Sequence, residues 1–184
     1  MRILGISGSL RAGSYNTNLL RAAAEAAPAG VELVLWEGLR EIPPYDSDLD
    51  VEPAPEPVRR LREAIAGADA LLFATPEYNA SVPGQLKNAI DWASRPFPES
   101  ALRGRPAAVV GAATGSFGGV WAQADLRKIL GTAGARVLEA AVAVPKAAEA
   151  FDERGHLLSE EARVALHGLV TELIDEATPV RTAA

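Results

Sequence analysis

The stretch GISGSLRAGSYNTNLL, residues 5–20, decides how the rest of the chain is read. It begins inside the apolar run RILGIS (residues 2–7), breaks into a loop of small hydroxyl residues holding one arginine, and enters a helical pattern. The start of a helix presents unpaired N–H groups and a partial positive charge, which suits an anion. Ser7, Ser9 and Ser14 add hydroxyls, Gly8 and Gly13 let the backbone come close, and Arg11 is the only fixed charge in the loop. The other early basic residue, Arg2, stands at the far end of the strand, about 20 Å away at ~3.3 Å per residue. In a chain of net charge −6, one arginine among serines reads as an answer to a phosphate. Hydrogen bonds to a charged group contribute about 1.5–3 kcal/mol each. Four or five of them, after ordering costs, hold a micromolar ligand, which needs about 8 kcal/mol. The competing reading has Ser14 or Asn16 capping the helix while the serines satisfy a turn. The stretch is not G-x-G-x-x-G, G-x-x-x-x-G-K-[ST] or G-x-S-x-G, which disfavours a classical dinucleotide site, a P-loop NTPase and a nucleophile elbow.

The totals narrow the chemistry further. The 184 residues fit one domain, taken as residues 1–178 with a frayed tail over 179–184. At 48% hydrophobic and 23% charged, the composition is that of an ordinary globular protein. No apolar run reaches the ~20 residues that cross a bilayer, and no secretion signal opens the chain, so a cytoplasmic protein without a membrane partner is expected. The absence of cysteine removes disulfides, iron–sulfur clusters, thiolate zinc sites and thiol nucleophiles together. Only His156 and His167 are imidazoles, so no metal site is expected and redox chemistry must use an organic cofactor. The acidic balance argues against nucleic acid as a partner.

Along the chain, apolar strands alternate with helices. Strands are read over RILGIS, VELVLWEGL (31–39), DALLFATPEYN (69–79), PAAVVGAAT (106–114) and ARVLEAAVAV (135–144). Helices are read from Thr17, from Val58, over PGQLKNAIDWAS (83–94), through Leu126, Ile129, Leu130 and Ala133, and through Ala162, Leu166, Leu169 and Leu173. The proline- and acid-rich segment REIPPYDSDLDVEPAPEP (40–57) cannot be regular structure. This order predicts an α/β fold, a parallel sheet covered by helices on both faces. Ligands bind such sheets beyond the carboxyl ends of the strands, where the strand order reverses. The loops SGSLRAGSYN, TPEYNASVPG and ATGSFGG all fall on that edge. In the third helix, Leu86, Ile90 and Ala93 make one apolar face while Trp92 and Asn88 share another, which predicts contact with the sheet and with something else. Lys87 and Asp91 stand four apart in the order less favourable to the helix, so a partner is expected to engage them.

Three segments carry a resemblance. GSLRAGSYN (8–16), PEYNASVPGQLKNAIDW (76–92) and GSFGGVWAQADLRKIL (115–130) together resemble the NADPH-dependent FMN reductase family, which includes quinone, azo-dye and chromate reductases. The likeness runs from about residue 1 to 144, and FDERGHL (151–157) is also similar. It implies a flavodoxin-like three-layer sandwich whose five parallel strands run in the order 2-1-3-4-5, with FMN at the strand-end edge. It further implies that Ser9, Arg11, Ser14 and Asn16 hold the FMN phosphate and that Pro76, Glu77, Tyr78 and Asn79 line the isoalloxazine ring. Thr114, Gly115 and Ser116 would approach the other side of the flavin. The independent reading agrees on chemistry, since a flavin needs a flat wall, which Tyr78 offers, and N–H groups near the atoms that gain charge.

The function implied is that of a ping-pong reductase passing hydride from NADPH (or NADH) through FMN to a small-molecule electron acceptor such as a quinone, working as a homodimer or dimer of dimers. The protein orients and needs no acid or base of its own, so no catalytic side chain is nominated. Two other classes are a flavodoxin-type electron carrier without nicotinamide turnover and a serine–histidine hydrolase. The latter has only two late histidines to draw on, both expected at the surface.

Overall fold

The computed structural model describes residues 1–178; the tail expected to fray over 179–184 lies outside them. Five strands form one all-parallel sheet: β1 (Arg2–Ser7), β2 (Glu32–Trp36), β3 (Ala70–Ala74), β4 (Pro106–Ala112) and β5 (Arg136–Val144). Their order is β2-β1-β3-β4-β5, as the resemblance implied. The helices are α1 (Tyr15–Ala26), α2 (Glu56–Ala66), α3 (Gly84–Ala93), α4 (Val120–Thr132), a single turn α5 (Ala147–Ala150) and α6 (Glu160–Ala177). Helices α1, α5 and α6 cover one face through Leu19, Leu20, Leu166, Leu169 and Leu173. Helices α2, α3 and α4 cover the other through Leu61, Ile65, Leu86, Ile90, Leu126 and Leu130. Both faces of β3 and β4 are therefore dry, and ALLFA and PAAVVGA are buried at every position. Such strands show no alternation because neither side meets water. At the edge, β5 does alternate between exposed and buried residues.

Several boundaries move for local reasons. Helix α1 starts at Tyr15, two residues before the expected Thr17, because Ser14 caps it by accepting from the Thr17 N–H at 3.3 Å. Helix α2 starts at Glu56 and takes Pro57 into its first turn, where no N–H is missed. Strand β2 ends at Trp36, and a 3-10 turn over Gly38–Glu41 replaces its expected last residues.

The order places the reversal point between β1 and β3, and the ladder continues beyond the strands. Gly8 N donates to Ala74 O at 2.8 Å, Thr75 N to Val110 O at 3.0 Å, and Ala113 N to Val144 O at 3.1 Å. The loops leaving β1, β3 and β4 thus exit side by side. Gly8 leaves room for the neighbouring helix: a Cβ there would lie 2.7 Å from Leu86 Cδ2, and that side chain would have to shift.

The second face of α3 has a different occupant from the one expected. Trp92 is fully buried and its Nε1–H donates to Pro43 O at 2.9 Å. Asn88 donates to the same carbonyl at 2.8 Å and accepts from Tyr45 N–H at 2.7 Å, while Gln85 donates to Leu39 O and Ile42 O, both at 2.8 Å. The proline-rich segment of the same chain therefore covers this face. The segment 40–57 is not the wholly irregular stretch expected: its ends belong to the Gly38–Glu41 turn and to α2, and a 3-10 turn stands at Ser47–Leu49. The Lys87–Asp91 pair, half-exposed at 2.7 Å, stands apart from that contact. Trp92→Ala is expected to destabilise the protein by about 3–5 kcal/mol. Trp92→Phe, which keeps most of the ring volume but loses the N–H, should cost about 1 kcal/mol. Urea unfolding followed by circular dichroism measures both, and equal losses would mean that the indole N–H carries the stability rather than packing.

Candidate active site

The three strand-end loops enclose a cavity of about 330 Å³, within the ~300–1,000 Å³ usual for small-molecule sites. Ser9, Arg11, Ser14 and Asn16 line it from the first loop, Pro76, Glu77 and Tyr78 from the second, and Thr114 from the third. Larger cavities of about 690 Å³ along β5 and α6 and about 590 Å³ between α3 and α4 are lined by no residue of these loops. The smaller one is singled out by its chemistry.

Each residue is held for a reason. Ser9 Oγ accepts from Arg11 N–H at 3.3 Å, and Ser7 Oγ accepts from Ser9 N–H at 3.4 Å and from the Thr17 hydroxyl at 2.9 Å. These bonds coil the loop around the start of α1. Ser14, 2% exposed, caps α1 as the competing reading has it and also lines the cavity. Asn16, 3% exposed, donates to Ala112 O and accepts from Ala112 N–H, both at 2.9 Å. Its amide binds α1 to the end of β4 before any ligand does. Arg11 is exposed and forms no ion pair among the described residues. Its guanidinium carbon lies 5.0 Å from the Tyr15 ring centre, a cation–π contact.

Tyr15 was not among the expected residues. It lines the cavity and stacks at 5.5 Å on Phe151, which begins FDERGHL. That segment is closed by a bridge between Phe151 and Leu157 and by Asp152, which accepts from the His156 and Arg154 amides at 2.8 and 2.9 Å. The His156 ring, bonded to Asp152, holds that carboxyl below its ordinary value, and the His156 amide lowers it further. The chain's late segment thus supports the arginine of its first loop through two rings. The signal in the sequence is an aromatic four residues after Arg11, between Ser14 and Asn16.

Glu77 and Asn79 are used differently from the expectation. The Glu77 carboxylate accepts from the Trp121 and Ala122 N–H groups at 3.0 and 3.1 Å, capping α4 from a distance because the cap residue Gly119 has no side chain. Asn79 (φ 52°) and Ala80 (φ 59°) form a tight turn in which Tyr78 and Ser81 exchange backbone bonds of 3.0 and 3.1 Å. Asn79 is exposed and outside the cavity lining, whereas Tyr78, 54% exposed, stands at its wall. Gly115 and Ser116 are exposed beside the cavity without lining it. The following Gly118 (φ 62°) passes so close to β5 that a Cβ would fall 2.8 Å from Val144 N. Phe117 and Trp121, 63% and 49% exposed, pack edge to face at 5.0 Å next to the Glu77 cap, and neither was singled out from the sequence. Both histidines are exposed and lie outside the cavity lining. Glu77→Ala removes two bonds to an uncapped helix start and should cost about 1–2 kcal/mol. The loss appears as a lowered thermal midpoint, and an unchanged midpoint would mean that water replaces the carboxylate without penalty.

Comparison with known proteins places this arrangement. A sequence model of the NADPH-dependent FMN reductase family matches residues 1–149. The chain is 48% identical over 164 residues to the NAD(P)H-dependent FMN reductase of Pseudomonas aeruginosa, covering 89% of this chain and 88% of that protein. It is 37% identical over the same length, with the same coverage, to a 2-hydroxy-1,4-benzoquinone reductase of Burkholderia. The solved structure of FerB, a flavoenzyme NAD(P)H:(acceptor) oxidoreductase from Paracoccus denitrificans, superposes with a TM-score of 0.85 over 96% of each chain at 37% identity. A flavodoxin from Pseudomonas aeruginosa, 16% identical with a TM-score of 0.59 over 96% of this chain and 99% of that one, shares the fold. The sequence match over most of the chain and the flavodoxin-like order of its strands agree, and this protein belongs to the NADPH-dependent FMN reductase family, an FMN-dependent NAD(P)H oxidoreductase of the quinone reductase type.

Proposed function

We propose that the cavity between the β1, β3 and β4 loops holds FMN and that the enzyme runs a ping-pong cycle from NADPH to a quinone-like acceptor. The observation that carries this reading is the convergence, at the reversal point of the sheet, of an unpaired guanidinium, two serine hydroxyls and the open start of α1. That donor set matches a phosphate dianion, and no carboxylate in the cavity lining is left free to oppose it, since Glu77 is turned to α4. The residues present fit the cofactor.

In this reading Arg11, Ser9 and Ser14 hold the phosphate, and Asn16 keeps α1 and β4 together so that the cradle exists beforehand. Pro76, Glu77 and Tyr78 would line the ring, and Asn79 shapes the turn that presents Tyr78. Thr114 borders the ring from the third loop, with Gly115 and Ser116 at its rim. Bound there, FMN supplies the two-electron relay between the reduced nicotinamide and the acceptor. The chain contributes orientation and a preformed field of donors, which costs no reorganisation at the moment of reaction. Neither histidine reaches the cavity lining, so neither is given a part in turnover.

The enzyme is proposed to act as a homodimer or dimer of dimers through the α3–α4 groove of about 590 Å³, which Lys87, Asp91, Asp125 and Lys128 line with both signs of charge. Phe97, 77% exposed, stands at the same groove. Sedimentation velocity should give an assembly that Asp91→Lys breaks to monomers; a wild-type monomer removes this part of the proposal.

The cofactor and the turnover are tested together. Purified protein should be yellow, release FMN on heating, and oxidise NADPH in the presence of menadione with parallel double-reciprocal lines. Arg11→Ala should weaken FMN binding by about tenfold or more, one charged hydrogen bond of ~1.5 kcal/mol. Unchanged FMN affinity in that variant puts the phosphate elsewhere, and no consumption of either nicotinamide with several acceptors leaves only electron carriage.

A further inference from the structure

A second cavity, about 270 Å³, opens on the other side of the first loop, at the carboxyl ends of β1 and β2. It shares Ser9 and Arg11 with the FMN cradle, and its other charged groups are Glu37 and Arg40. The hydroxyls of Ser7 and Thr17 add polar atoms, while Leu35, Trp36 and Leu39 give it an apolar side. The Trp36 ring packs against Gly38, where a Cβ would fall 2.6 Å from it. Arg40 donates from Nη2 to Leu10 O at 2.7 Å, which fixes its guanidinium against the loop. Neither Arg40 nor Glu37 forms an ion pair among the described residues. Two guanidinia therefore face one carboxylate, a locally positive hollow in a protein of net charge −6.

The FMN assignment takes Ser9 and Arg11 from this hollow and leaves Trp36, Glu37 and Arg40 without a role, and its place in the sheet is informative. In the dinucleotide-binding version of the open parallel sheet, whose glycine fingerprint this chain lacks, the adenosine ribose is met about 20 residues past the first strand–helix turn. An acidic residue there accepts from a ribose hydroxyl, and a nearby arginine accommodates a 2′-phosphate. Here β2 lies beside β1, Glu37 directly follows β2, and Arg40 comes three residues later. We propose that this second cavity takes the adenosine 2′-phosphate end of NADPH. Arg40 meets the phosphate, Glu37 accepts from the neighbouring ribose hydroxyl, and Trp36 forms a flat wall for the adenine. Arg11 then has a single task, the FMN phosphate, and the two arginines divide two anions across one loop. The inference rests on the FMN reading only for that division of labour.

The test is a calorimetric titration of FMN-loaded protein with adenosine 2′,5′-bisphosphate and with adenosine 5′-monophosphate. The expected result is a preference of about tenfold or more for the 2′-phosphorylated nucleotide. Arg40→Ala should abolish that preference and Arg40→Lys restore part of it, with FMN affinity held within about twofold. Equal binding of the two nucleotides, no binding of either, or a preference that survives in Arg40→Ala overturns the proposal. So does a loss of FMN affinity in Arg40→Ala that accompanies the loss of preference, because Arg40 would then be a brace for the loop through Leu10. The titration needs no turnover and does not use Arg11. A protein with the preference but no NADPH oxidation would defeat the reductase cycle alone, and a reductase without the preference would defeat this inference alone.

Discussion

Asn16 exchanges two hydrogen bonds of 2.9 Å with a single residue's backbone, that of Ala112, inside the protein. Each bond is ordinary; their position is what matters. One end belongs to the first turn of α1, which borders the cavity, and the other to the last residue of β4, after which the third loop departs. The first loop leaves β1 and the third leaves β4, with β3 between them, so no ladder bond joins those two strand ends directly. The amide spans that gap. Removing it would leave a buried donor and acceptor without partners and would also let the start of α1 drift from the sheet edge. A phosphate cradle built from backbone donors works only if those donors converge, so this clamp precedes every functional statement about the site.

A comparable economy holds the proline-rich segment. A stretch with Pro43, Pro44, Pro53 and Pro55 cannot satisfy its carbonyls within regular structure, and it would otherwise lie loose over the sheet edge. Helix α3 supplies the missing donors from one face, with Gln85, Asn88 and Trp92 spaced three and four apart. Arg62 extends the anchorage by reaching Asp50 at 2.8 Å and Trp92 O at 3.1 Å. This keeps the turn at Gly38–Glu41, and with it Arg40, at a fixed distance from the first loop. The order of the segment is imposed from outside, by partners distant in sequence.

That distinction explains what could be read from the sequence and what could not. The strand order came with the family likeness, while the two helical layers and the parallel sheet rest on local signals: apolar runs without alternation, helical spacing, and loops rich in glycine and serine at three strand ends. The cavity's membership was largely visible because Ser9, Arg11, Ser14, Asn16, Pro76, Tyr78 and Thr114 sit in those loops. The roles of Glu77 and Asn79 were not, because each is decided by a non-local fact. Gly119 gives α4 no cap, so the nearest carboxylate turns there, and the reversal between Tyr78 and Ser81 needs a positive φ that asparagine tolerates. The second face of α3 escapes the sequence for the same reason. A Trp and an Asn on one helix face state that something polar and bulky covers them, and periodicity cannot say whether it is a partner or the chain itself. The place of Tyr15 beside Arg11 is a local signal, but its support is not, because Phe151 lies 136 residues further on.

The distribution of free charge ties these parts together. Many arginines of this protein are spent on carboxylates or carbonyls along its surface, as with Arg59 between Glu56 and Glu63 or Arg105 on Ala66 O and Ala68 O. Arg11 and Arg40 have no carboxylate partner among the described residues, and both lie at the first loop, one resting on an aromatic ring and the other on a carbonyl. Those supports orient a guanidinium without neutralising it. A ring face and a peptide oxygen attract a cation weakly, whereas a carboxylate would leave an incoming phosphate to compete with a salt bridge already made. Phe151 therefore acts on the site without touching it. By stacking on Tyr15 it holds the ring on which Arg11 rests, and the charge stays available while its position is kept.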